Sequence, residues 1–147
     1  MKKISIILGL LLILTACSST QQKVVFEKDS EGAKTTITYH ADGDVVYRQE
    51  VVNVIDSNYL SVTPDDVKSR LEETQNAYNN IKGTTYDYNM DEDGIITEKI
   101  SVDFKDLDTE AYQKLNSGNI DGDLSKGVSL QKSVEYVKQQ GFVEVKE

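Results

Sequence analysis

Three kinds of pattern run along this chain: an unbroken apolar stretch, alternation with period two, and apolar residues spaced three and four apart. The stretch is Ile4 to Leu14, interrupted only by Ser5 and Gly9, and the wholly polar Ser18-Ser19-Thr20-Gln21-Gln22-Lys23 follows closely. Val24-Val25-Phe26 predicts a short strand ending at the polar run Glu27 to Gly32. Thr35 to His40, rich in β-branched residues and tyrosine, predicts another. Ala41-Asp42-Gly43-Asp44 reads as a tight turn, with Val45 to Ile55 as a longer strand returning from it. Within that strand Val45, Tyr47, Val51 and Ile55 are expected on one face.

Thr63-Pro64-Asp65-Asp66 has the chemistry of a helix start: a capping hydroxyl, a proline suited to the first helical position, and two acids that complement the dipole. Val67, Leu71, Thr74, Tyr78 and Ile81 then draw one apolar stripe, and Lys82-Gly83 ends it. The first hairpin pattern now returns. Thr84 to Tyr88 mirrors Thr35 to Tyr39, Asp91-Glu92-Asp93-Gly94 supplies a second turn, and Ile95 to Phe104 a second long strand. Ile96, Ile100, Val102 and Phe104 are expected to share a face. Asp108 to Leu115 predicts a short helix and Asn116 to Gly127 a loop. Ser129 caps a last helix carrying Leu130, Val134 and Val137 on one side, Gly141 stops it, and Phe142 to Val145 reads as a closing edge strand. The expected fold class is α+β: an antiparallel sheet of two similar hairpins with helices packed on one face, a two-layer sandwich.

The apolar stretch is not part of that sandwich. Met1-Lys2-Lys3 gives it a positive start, and its length suits the roughly 7–15 residues of a signal-peptide core rather than the roughly 20 of a spanning helix. It ends in Leu14-Thr15-Ala16-Cys17, which reads as a lipobox. Leu14, Thr15 and Ala16 are the expected signal-peptidase recognition residues. Cys17, the only cysteine, is the expected lipidation site, carrying diacylglycerol as a thioether. At about 0.8 kcal/mol per buried methylene, one acyl chain holds a protein marginally, whereas two or three hold it firmly. The organisation expected is therefore residues 1–16 as a removed lipoprotein signal peptide, residues 17–23 as lipidated cysteine and polar tether, and residues 24–147 as a single α+β domain.

Residues 17–147 hold 14 basic against 25 acidic side chains, a net charge of −11. Like charges repel, so nucleic acid is not an expected partner. With Cys17 acylated no thiol remains, and the domain must be held by its apolar core.

Asp123-Leu124-Ser125-Lys126-Gly127-Val128-Ser129-Leu130, continuing through Val134-Glu135 to Gln140-Gly141-Phe142, resembles the ending of the YehR-type family of small bacterial lipoproteins of unknown function. Tyr78 to Gly83, the Tyr/Asp strands after it and Ser101-Val102-Asp103 are similar too. With the lipobox, the resemblance covers nearly the whole mature chain. It implies a lipid-anchored α+β domain and carries over no catalytic or binding residue.

Candidate chemistry is sparse. The single histidine, His40, flanks a turn without a marked nucleophile or orienting acid, and is expected to be a surface residue. One histidine and no free thiol leave no usual zinc set, so no metal or other cofactor is expected. Asn89-x-Asp91-x-Asp93-Gly94 matches the first half of a calcium loop, but the twelfth position is Ile100 and both flanks read as strands; a solvated hairpin tip is expected. Asp121-Gly122-Asp123 is a second acidic turn without a closing carboxylate. No pair of acids is marked by an apolar setting, and there is no phosphate loop or dinucleotide fingerprint.

These features lead to a membrane-anchored, extracytoplasmic bacterial lipoprotein. Its expected role is that of a non-enzymatic binding module for a protein, peptide or small-molecule ligand. The ligand would lie on the sheet, in the groove beside the helices, or along an edge at Val24-Val25-Phe26 or Phe142-Val143. The alternatives are a cell-envelope hydrolase using acidic residues and a weak cation-binding module.

Overall fold

Both expected hairpins form, and they join side by side into one sheet. The computed structural model describes residues 20–116 and 124–146. Leu14, Thr15, Ala16, Cys17 and the acidic turn Asp121-Gly122-Asp123 lie outside the described residues. The strands are β1 (Gln21–Ser30), β2 (Ala33–Asp42), β3 (Val45–Asp56), β4 (Thr84–Met90), β5 (Ile95–Asp103), β6 (Val128–Ser129) and β7 (Val143–Val145). The helices are α1 (Pro64–Asn79), α2 (Thr109–Leu115) and α3 (Leu130–Gln139), with single 3-10 turns at Ser57–Tyr59 and Leu124–Lys126. The strand order is β4-β5-β3-β2-β1-β7, β6 pairs with the start of β3, and every pairing is antiparallel. The fold is α+β, as the patterning predicts.

Local chemistry starts each helix where expected. Thr63 Oγ1 accepts the N–H of Asp66 at 3.2 Å, with Pro64 in the first turn. Asp108 caps α2 through the N–H of Ala111 at 3.0 Å. Ser129 caps α3 and is itself held from a distance: its hydroxyl donates to Asp44 Oδ2 at 2.8 Å, while Asp44 Oδ1 accepts the N–H of Gln131 at 2.8 Å. Asp44 thus ties the β2–β3 turn to the head of α3. After α1 the chain turns at Gly83, whose φ of +85° and closeness to Leu107 exclude a side chain: a Cβ there would meet Leu107 Cα at 2.6 Å.

The sheet departs from the patterning in three places. β1 begins at Gln21, so Gln21, Gln22 and Lys23 leave the expected tether and pair with Asp42, Ala41 and His40. Their polarity conceals this, because main-chain pairing at a strand end does not require an apolar side chain. A bulge also breaks β3: the register passes from His40↔Arg48 to Ala41↔Val46, leaving Tyr47 without an opposite residue. The phase flips there, so Val46 is fully buried and Val45, expected inside, is 49% exposed. Finally, β7 pairs with Val25–Glu27, so the Val24-Val25-Phe26 stretch is an interior strand and not a free edge. At the other side of the sheet, Asn79 closes β4: its Oδ1 accepts the N–H of Tyr86 at 2.7 Å and its Nδ2 donates to the Tyr86 carbonyl at 3.0 Å.

Two apolar clusters fill the space between sheet and helices. The larger joins Phe26, Ile37, Tyr39, Ala41, Val46, Val102 and Phe104 to Leu130 and Val137 of α3. The smaller joins Val67 and Leu71 of α1 to Tyr86 and Ile96, with Ile55, Tyr78, Tyr88 and Ile100 packed against it.

Candidate ligand cleft

The helix-covered face of β5 carries Ile96, Glu98, Ile100 and Val102 at alternate positions, so a carboxylate stands where the period calls for an apolar residue. The register brings polar side chains to it from three neighbouring strands. Thr35 of β2 lies opposite Asn53 of β3, which lies opposite Glu98. Thr35 Oγ1 donates to Asn53 Oδ1 at 2.9 Å, and Asn53 Nδ2 donates to Glu98 Oε2 at 3.1 Å. From β4, the Tyr86 hydroxyl donates to Glu98 Oε1. Burial first, and then the hydrogen bond and charge of Glu98, push the Tyr86 hydroxyl far above the ordinary tyrosine range, so it remains a donor at any physiological pH. Tyr78 stacks on Tyr86 with centroids 5.8 Å apart, and burial together with the Glu98 charge raises its pKa too.

Glu98 opens into a cleft between α1 and the sheet. Ile55, Ile96 and Glu98 form the floor, Val67, Arg70, Leu71 and Thr74 of α1 one wall, and the Leu60-Ser61-Val62 connection the rim. Its volume is about 290 Å³, near the lower limit of about 300 Å³ for small-molecule sites. Thr74 Oγ1 is engaged by the Arg70 carbonyl at 2.8 Å, whereas the Arg70 guanidinium has no ion pair or hydrogen bond among the described residues. The cleft lies at one end of the sheet. Ile55 pairs with Ala33 there, whereas Gln21 pairs with Asp42 at the other end, nine residues along β2. At about 3.3 Å per residue this is roughly 30 Å.

The residues singled out by sequence are elsewhere. His40 is on the uncovered face, its Nε2 2.9 Å from Glu50 Oε2, with Arg48 Nη2 2.7 Å from Glu50 Oε1. The His40 hydrogen bond, then the Arg48 charge, holds the Glu50 carboxyl below the ordinary range. In the Asn89-to-Gly94 tip, Asp91 Oδ1 accepts the N–H groups of Asp93 and Ile95, so that carboxylate is used in shaping the turn. Among the described residues no three His, Cys, Asp or Glu side chains converge as a metal site would require. Glu98 was not singled out, although the gap it leaves between Ile96 and Ile100 in the apolar stripe was the signal.

The chain matches, over residues 22–143, the family described as protein of unknown function DUF1307. It is 30% identical over 134 residues to the uncharacterized lipoprotein Lin0239 of Listeria innocua, covering 90% of this chain and 87% of that one. It is 27% identical over the same length to the uncharacterized lipoprotein Lmo0207 of Listeria monocytogenes, with the same coverage. The NMR structure of the E. coli YehR protein superposes with a TM-score of 0.70 at 26% identity, covering 88% of this chain and 94% of that one. A protein from Streptococcus pneumoniae TIGR4, also solved by NMR, shares the fold with a TM-score of 0.60 at 17% identity, covering 99% and 97% of the two chains.

Proposed function

Since this chain belongs to the DUF1307 family and its Listeria relatives are lipoproteins, we propose a binding lipoprotein held at the extracytoplasmic membrane face through Cys17. In this reading residues 1–16 are removed after Leu14, Thr15 and Ala16 are read by the peptidase. Diacylglycerol on the Cys17 sulfur is the anchor, and residues 24–147 form the working domain. No helix among the described residues is long and apolar enough to cross a membrane, and in this reading the attachment is the lipid on Cys17.

The observation that carries the binding role is the cleft beside α1, where a carboxylate is fixed by two donors at the end of the sheet remote from Gln21. Gln21 follows Cys17 by four residues, a reach of at most about 14 Å at roughly 3.6 Å per residue. The Gln21 end therefore stays near the lipid, and the cleft, about 30 Å along the strands, meets ligand arriving from the aqueous side. The hydrolase alternative asks for two carboxylates about 5–9.5 Å apart across the scissile bond. The cleft lining contributes one, Glu98, which favours binding over cleavage.

Intact-mass analysis of the protein purified from membranes tests the anchor. The expected mass is that of residues 17–147 with two or three acyl chains, and Cys17→Ala should leave an uncleaved or mis-cut precursor outside the lipid-anchored fraction. A mass equal to the unmodified 131-residue chain, or a variant that is still processed and anchored, would overturn it.

A further inference from the structure

We propose that the cleft beside α1 takes an aliphatic α-amino acid in its zwitterionic form, with the ammonium on Glu98 and the carboxylate on Arg70. The proposal rests on the reading of this cleft as the ligand site and names the class of ligand. A carboxylate offers about four acceptor positions. Tyr86 and Asn53 occupy one on each oxygen, which fixes the group while leaving acceptor capacity facing the cleft. A donor-only group with several N–H bonds fits that capacity, and a primary ammonium is the smallest such group. Tyr86 and Asn53 act here as positioning residues.

Arg70 supplies the second half of the recognition. It lines the same cleft from α1 and forms no ion pair with Glu98 or with any other described residue, so cation and anion face one cavity without neutralising each other. A zwitterion gives each its complement. A simple carboxylic acid would satisfy Arg70 and meet repulsion from Glu98, whereas a simple amine would satisfy Glu98 and leave Arg70 unused. Beside the hydroxyls of Ser61 and Thr74, the remaining lining is Ile55, Leu60, Val62, Val67, Leu71 and Ile96, which carry no polar side-chain atom and suit a branched aliphatic side chain. The volume of about 290 Å³ suits a small molecule.

The test is calorimetric titration of the mature protein with three probes: leucine, 3-methylbutylamine, which is leucine without its carboxylate, and 4-methylpentanoate, which is leucine without its ammonium. Leucine should bind tightest and 4-methylpentanoate weakest. Glu98→Gln should weaken leucine and the amine by about tenfold or more without weakening 4-methylpentanoate, while Arg70→Gln should weaken leucine and 4-methylpentanoate without weakening the amine. Arg70 is exposed and unpaired among the described residues, so its variant folds even if Glu98→Gln disturbs the sheet. Binding of all three probes with equal affinity, or binding indifferent to both substitutions, would overturn the amino-acid proposal while leaving an apolar cleft in place. Binding of none of them would overturn the proposal and the cleft reading together.

Discussion

The two apolar clusters beneath the helices differ in kind. The α3 cluster has nine buried members drawn from β1, β2, β3, β5, α3 and the segment just after β5, and Tyr39 alone among them has a polar side chain. The α1 cluster has four, one of them Tyr86, whose ring contacts Tyr78 and Tyr88 at the cluster's border, and is crossed by the Thr35-Asn53-Glu98-Tyr86 row. A continuous apolar core gives stability but no specificity, because it has nothing to say to a ligand. A small core with one carboxylate held at its edge gives up packing and gains a recognisable chemical group. The comparison separates a half built on a continuous apolar core from a half whose smaller core borders a carboxylate-bearing cleft.

Truncation should expose the contrast most strongly. Phe26→Ala, at the centre of the α3 cluster, should cost about 3–5 kcal/mol, whereas Leu71→Ala should cost about 2–3 kcal/mol because its site already adjoins the cleft. Urea unfolding of both variants measures the gap, and equal losses would break the division. A smaller effect comes from one substitution made in both halves. Tyr86→Phe removes a donor from Glu98 and should cost about 1–2 kcal/mol. The Tyr39 hydroxyl, whose pKa burial raises to about 12, has no hydrogen-bond partner among the described residues, so Tyr39→Phe should be nearly neutral.

Acid should act mainly at the Asp44 tie to α3 and at the Glu50 pair on the uncovered face. Asp44 is held below its ordinary value of 3.8, first by the N–H of Gln131 and then by the Ser129 hydroxyl, and Glu50 below 4.5, first by His40. Each group has a folded pKa lower than its unfolded one. The stability it contributes is therefore fully present above the unfolded value and is lost as pH falls through the folded value. Thermal melting followed from pH 6 down to about pH 2 should show a decline beginning near the ordinary carboxylate range, and Asp44→Asn should flatten part of it. An unchanged slope would mean that the turn-to-helix tie contributes nothing.

Elements whose cause is local were legible in the sequence. Thr63-Pro64 and Ser129 announce helix starts through their own hydroxyls and backbone, and both hairpins follow from turn residues between alternating strands. Features that depend on a distant partner were not. The bulge at Tyr47 depends on β2, the strand character of Gln21–Lys23 depends on Asp42 to His40, and β7 covers β1 across more than a hundred residues of chain. Glu98 belongs with these, because its setting is made by Asn53 and Tyr86, which no sequence spacing links to it.

The most direct test of the division of labour is a methyl-resolved NMR titration of the mature protein with leucine. Methyl shifts confined to Ile55, Val67, Leu71 and Ile96, with Val46, Leu130 and Val137 unmoved, are what the two-cluster account predicts. Shifts centred on Val46, Leu130 and Val137, or no shift at any of the seven, would contradict it.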